Sequence, residues 1–143
     1  MNKKNEEERW LLMKRSEISL SVPSSLKNLS LIRTMVKAYF EYEKICESDA
    51  FLLMAVIDEL STNVVEHGYK YNSGNINIKL KKRDSFICIV VEDDGVGFDD
   101  NKLSKDEGGL GLQIARKVAD SFKIEKKING TLFRLEKKIK EVV

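Results

Sequence analysis

Three short segments in a fixed order constrain this chain more than anything else in it. They are Glu59-Leu-Ser-Thr-Asn63-Val-Val-Glu-His67-Gly68, then Glu92-Asp93-Asp94-Gly95-Val96-Gly97-Phe98, then Glu107-Gly108-Gly109-Leu110-Gly111-Leu112. In the first, Glu59, Asn63 and His67 recur at i, i+4 and i+8. At about 100° per residue they drift only about 80° around a helix, so all three share one face. Leu53, Val56, Leu60 and Val64 are left to form an apolar stripe on another. Asparagine is a poor choice for a solvated helix interior, because its amide competes with the backbone. In the second segment an apolar run ends in an acid, and Gly95 and Gly97 permit a sharp turn and a close approach to the backbone. The third is a glycine run opening a helix, where free N–H groups make an anion site. Each also has an ordinary reading: a solvated helix face, an Asp-Asp-Gly turn, and a loose loop with an N-cap.

The surrounding pattern is α+β. Ile18, Leu20 and Val22 alternate with polar residues, a strand signature ended by Pro23 and Ser24-Ser25. Leu26, Leu29, Ile32, Val36 and Phe40 recur at helical spacing to about Glu43, and a second helix runs from near Ser48 to His67 with Gly68 as its stop. Ile76, Ile78 and Leu80 alternate as a half-exposed strand. Phe86 to Val91 is a nearly unbroken apolar run that reads as a central strand, with Cys88 buried within it. Leu110, Ile114, Val118 and Phe122 mark a third helix. Phe122 to Ile128 and Thr131 to Lys137 read as strands joined by Asn129-Gly130, a strong hairpin signal. The order β-α-α-β-β-α-β-β predicts a two-layer sandwich: one mixed, mostly antiparallel sheet with helices on one face. A chain of 143 residues is one domain by length, here a polar N-terminal segment over 1–15 and a domain over 16–143.

Composition narrows the partners. Basic and acidic residues number 25 and 23, so no strong field draws in nucleic acid or a membrane surface. Cys46 and Cys88 have no metal-ligand spacing, and a disulfide is not expected. No apolar stretch approaches the roughly 20 residues that span a bilayer. The polar start lacks the apolar core of a secretory signal, so the expected location is the cytoplasm. The other common phosphate loop, Gly-x4-Gly-Lys-Ser/Thr, is missing.

Taken together, the three segments resemble the nucleotide site of the GHKL ATPases, the superfamily of gyrase-type, chaperone, histidine-kinase and mismatch-repair ATP-binding domains. The likeness runs from about Ile18 to Lys137. Within that superfamily the short chain, Asp58-Glu59-Leu-Ser-Thr-Asn63 and His67-Gly68-Tyr69 look most like the bacterial anti-sigma-factor serine/threonine kinases. The resemblance implies a Bergerat-type fold, ATP and Mg²⁺. It implies Asn63 as the Mg²⁺ ligand and Glu59 as the catalytic general base. It implies Asp93, two residues before Gly95, as the acceptor for the adenine amino group, assisted by Thr131. Gly95, Gly97, Gly108, Gly109, Leu110, Gly111 and Leu112 are expected around the nucleotide. His67, the one histidine, either stands near the phosphates or simply complements the helix dipole. The polar stretch Phe98 to Glu107 would be a lid over ATP, with Lys102 or Lys105 near the γ-phosphate; it is short and lacks arginine.

The function so implied is an ATP-dependent serine protein kinase that acts as an anti-sigma factor. Its expected partners are a sigma factor and an anti-anti-sigma protein carrying the acceptor serine, and a second copy of itself in a homodimer. Two alternatives stand beside it: the catalytic domain of a histidine kinase, and a nucleotide-binding module without catalysis.

Overall fold

Alternation and helical periodicity place the elements close to where the sequence predicts them. The computed structural model describes residues 5, 8, 17–95 and 109–140, with the backbone alone at 109–111. The expected segment 1–15 otherwise lies outside the described residues, as do Gly97, Gly108 and the lid stretch with Lys102 and Lys105. The strands are β1 (Ile18–Pro23), β2 (Asn75–Arg83), β3 (Phe86–Glu92), β4 (Ser121–Lys126) and β5 (Thr131–Lys138). The helices are α1 (Leu29–Tyr42), entered through a tight turn at Leu26–Asn28, α2 (Glu47–Asn63) and α3 (Gly109–Val118).

The sheet order is β1-β2-β3-β5-β4, and all four ladders are antiparallel. One row of partners, Leu20–Ile78–Val91–Phe133–Ile124, crosses the whole sheet and faces the helices. Ile78, Val91 and Phe133 in it are fully buried, each contributing about 1.5–3 kcal/mol. From the helix side the core is closed by Ile32, Val36 and Phe40 of α1 and by Leu53, Val56, Ile57 and Leu60 of α2. The outer face carries exposed Lys79, Lys123, Arg134 and Glu136. The fold is therefore the expected α+β sandwich with one helical layer, except that the sheet is wholly antiparallel rather than mixed.

The chain departs from expectation in four places. The third helix ends at Val118, so Phe122, expected to mark it, belongs to β4 instead. Cys88 is not in the core: Ile87, Ile89 and Val91 take the inner positions of β3, which leaves Cys88 and Val90 on the outer face. An apolar run without alternation does not reveal which half turns inward. The β4–β5 hairpin turns one residue earlier than expected: the Lys127 N–H bonds the Gly130 carbonyl at 3.1 Å, and Ile128 is fully exposed at the tip. The helical stretch to Gly68 does occur, but α2 ends at Asn63. Residues Val64–Gly68 form a wider turn in which the Tyr69 N–H reaches the Val64 carbonyl, five residues back, at 2.9 Å. Gly68 is not in the left-handed conformation of a glycine stop; Lys70 and Tyr71, with φ of 50° and 65°, make that change of direction. The reason for a glycine at 68 lies in what it touches.

Candidate functional site

The site begins where sheet alternation would ask for two more core residues and finds polar ones. Continuing the β3–β5 register one pair beyond Glu92–Leu132 sets Asp93 opposite Thr131, on the helix-facing side. The Asp93 N–H duly bonds the Thr131 carbonyl at 3.0 Å. Both residues are completely buried. The Gly95 N–H donates to Asp93 Oδ1 at 2.8 Å, but Asp93 Oδ2 and Thr131 Oγ1 have no partner among the described residues. A buried carboxylate oxygen left unpaired is expensive, and a cross-strand pair of such groups calls for a ligand. Burial pushes the Asp93 carboxyl above the ordinary carboxylate range, against the Gly95 hydrogen bond and the nearby Lys127 ammonium, which lower it.

Three glycines shape the space around this carboxylate. A Cβ on Gly68 would sit 3.1 Å from Asp93 Cγ, one on Gly95 would sit 2.1 Å from the Gly68 carbonyl oxygen, and one on Gly130 would sit 2.0 Å from the Asp93 carbonyl oxygen. Gly130 also has a φ of 96°, a conformation that side chains resist. So Gly68 lets the end of α2 close onto Asp93, and Gly130 lets the hairpin close onto its backbone. The first and second sequence segments are in direct contact.

Asn63, at the end of α2, is buried, and its Nδ2 has no hydrogen-bond partner among the described residues. Glu59, one turn earlier, is half-buried. Burial raises its carboxyl above the ordinary range, and the charges of Glu66 and Asp58 add to that. His67 is exposed, its Nε2 3.9 Å from Glu66 Oε2. α3 starts at Gly109, with Gly109, Leu110 and Gly111 in its first turn. The Leu112 side chain is buried in the core, which leaves only its backbone to face a ligand.

Two residues that sequence reasoning passed over join the frame. Tyr69 Oη accepts the Asp94 N–H at 2.9 Å and donates to the Asn75 carbonyl at 2.8 Å. Lys127 Nζ reaches Asp94 Oδ1 at 2.7 Å and Glu92 Oε2 at 3.0 Å. The only hint of either in the sequence is Tyr69 following His67-Gly68; nothing local marks Lys127, which folding brings to Asp94 from the hairpin.

Among the described residues no three His, Cys, Asp or Glu side chains cluster as a metal cage. Mg²⁺ keeps several waters and often takes one protein oxygen beside phosphate oxygens, a role the Asn63 amide fits.

Comparisons with known proteins bear on the whole domain. The profile of the histidine kinase-like ATPase domain matches residues 22–137. The serine-protein kinase RsbW of Staphylococcus aureus (strain JH9) is 31% identical, the match covering 87% of this chain and 87% of that protein. RsbW of Bacillus cereus (strain ATCC 10987 / NRS 248) is 27% identical over 79% of this chain and 80% of its own length. Among solved structures, the RsbU and RsbW domains of Rv1364c from Mycobacterium tuberculosis share the fold with a TM-score of 0.68 at 19% identity. That alignment covers 86% of this chain and 32% of that longer one. A second, the SiaB–SiaC complex of Pseudomonas aeruginosa, aligns with a TM-score of 0.58 at 15% identity, over 95% of this chain and 96% of the matched one.

Proposed function

Because this chain belongs to the histidine kinase-like ATPase domain family, we propose that it is an ATP-dependent serine protein kinase acting as an anti-sigma factor. In this reading it binds a sigma factor in the cytoplasm and phosphorylates a serine of an anti-anti-sigma protein, as a homodimer. The observation that carries the nucleotide half is the buried Asp93 carboxylate with one oxygen satisfied by Gly95 and the other unpaired. The exocyclic amine of adenine is a donor of the right kind for that oxygen. Guanine presents a carbonyl there, and two acceptors would face each other. Thr131 Oγ1, also unpaired, is a second partner for the base. The relatives named as serine-protein kinases favour this reading over a histidine-kinase domain.

Glu59 supplies the base. Its carboxyl, raised by burial and by neighbouring acids, is a better proton acceptor than an exposed glutamate. The serine oxygen bonds to the γ-phosphorus, the bond from that phosphorus to ADP breaks, and the serine proton passes to Glu59. Asn63 would hold Mg²⁺, which when bound neutralises charge on the phosphates. The N-terminal turn of α3, with its glycines, offers backbone N–H groups to the phosphates.

The experiment is transfer of label from γ-labelled ATP to an anti-anti-sigma protein encoded beside this chain. Label on a serine, lost in Glu59→Ala while nucleotide binding persists, is the expected result. Tight ATP binding with no transfer by the unaltered protein would overturn the kinase half. A lack of ATP binding would overturn both halves.

A further inference from the structure

We propose that Tyr69 is a positioning residue that fixes the Asp93 turn against the end of α2 and thereby sets the affinity for the base; this rests on the nucleotide reading above. Three successive amides leave β3, and each has its own acceptor. The Asp93 N–H goes to the Thr131 carbonyl at 3.0 Å, the Asp94 N–H to Tyr69 Oη at 2.9 Å, and the Gly95 N–H to Asp93 Oδ1 at 2.8 Å. The first is a continuation of the sheet and the third is internal to the turn. Of the three, the second alone reaches beyond the sheet and the turn itself, and it does so through one hydroxyl.

That hydroxyl has no freedom to wander. Its single proton is committed to the Asn75 carbonyl at 2.8 Å, which aims a lone pair at Asp94. The ring is held as well: it fills the space over Gly74, where a Cβ would lie 2.1 Å from Tyr69 Cε1. The backbone of Tyr69 is placed by the widened turn, through its N–H bond to the Val64 carbonyl. Immediately before it, the Gly68 carbonyl packs against Gly95 closely enough to exclude a side chain there. Asp94 is gripped from its other end by Lys127 at 2.7 Å. The turn is thus held by its backbone from the residue after the wide turn and by the Asp94 side chain from the hairpin, with the Asp93 carboxylate between them. A half-buried tyrosine at a helix end needs none of this to be stable; pointing its hydroxyl to water would satisfy it.

Tyr69→Phe tests the idea, since it keeps the ring on Gly74 and removes only the hydroxyl. ATP and inorganic tripolyphosphate, which has no base, are titrated calorimetrically into the full chain with and without the substitution, alongside thermal melts. The expected result is an ATP Kd raised about three- to tenfold, the loss of roughly one net hydrogen bond, with the tripolyphosphate Kd unchanged. In the transfer assay KM for ATP rises while kcat stays within about twofold of the parent. An unchanged ATP Kd, whether or not the melting temperature falls, overturns the proposal and leaves Tyr69 a structural residue. So does an equal weakening of ATP and tripolyphosphate. Failure of the unsubstituted chain to bind ATP takes down the nucleotide reading and this proposal together, an outcome distinct from either of the others.

Discussion

Replacing Asp93 with asparagine should move stability and affinity in opposite directions. The substitution keeps the volume, and its amide oxygen can still accept the Gly95 N–H that Oδ1 now accepts at 2.8 Å. What changes is the second position, where the unpaired Oδ2 becomes an NH₂ group. For the free protein this is relief. Burial raises the carboxyl of Asp93 in the folded state, so its favourable contribution is complete below the unfolded value and is lost as pH rises through the folded one. At neutral pH the native state carries an acid that folding disfavours; asparagine does not titrate. Asp93→Asn should therefore melt higher than the parent at pH 7, and the gap should close as pH falls below the ordinary carboxylate range. For the proposed complex it should be damage, because a donor would then face the adenine amine. One hydrogen bond to a charged group is lost, worth about 1.5–3 kcal/mol, or roughly a 10- to 150-fold weaker Kd for ATP. Differential scanning calorimetry across pH and titration with ATP on the same preparations read both arms. An ATP affinity within twofold of the parent would refute the placement of the base at Asp93. A lower melt at pH 7 would refute the claim that its charge is an uncompensated burden in the free chain.

The other expectations are simpler. Glu59→Gln should leave nucleotide binding intact and lower kcat for transfer by roughly 10²- to 10⁴-fold; in the parent, kcat should rise with pH through a value above the usual glutamate range, since under the proposed mechanism Glu59 has to be ionised to take the proton. Gly130→Ala should lose about 2–5 kcal/mol in denaturant melts, from a φ of 96° and a Cβ placed 2.0 Å from the Asp93 carbonyl oxygen. Asp49 ties the start of α2 to the end of β5 and the residues just after it: burial works to raise its carboxyl, but the Lys140 N–H, the Cys46 thiol and Lys137 hold it below the ordinary range. Its contribution is present above the unfolded value and lost as pH falls through the folded one, so Asp49→Asn should cost about 1–3 kcal/mol at pH 7 and progressively less in acid.

Sequence reading went furthest where periodicity is local. The stripe Leu53–Val56–Leu60–Val64 and the alternation around Ile76, Ile78 and Leu80 needed nothing beyond neighbouring residues, and all seven side chains are buried. The three segments and the resemblance they carry single out Asp93, Asn63 and Glu59 as candidates. Sequence reading missed what depends on closure in three dimensions. Gly68 reads as a helix stop, yet its missing Cβ matters because Asp93 arrives from another element. Gly130 reads as the centre of a hairpin turn, yet it follows the tip because the Asp93 backbone needs the room. Cys88 and Val90 were indistinguishable from their inward neighbours, since an apolar run carries no phase. Lys127 and Tyr69 are ordinary surface residue types whose meaning comes only from Asp94, far along the chain from both.

The wide turn at Val64–Gly68 makes the length of the chain itself a functional variable. Such a turn accommodates one more residue than a regular helix over the same rise. Shortening the chain by a single residue, for instance at Val65, would let α2 wind regularly to its end and gain ordinary i→i+4 bonds. It would also rotate everything after the deletion by about 100°, swinging the phenol away from Asp94. Selection for a sturdier helix and selection for a working pocket therefore pull on this stretch in contrary senses, and a one-residue shortening there should yield a well-folded domain that no longer tells ATP from its bare phosphate tail.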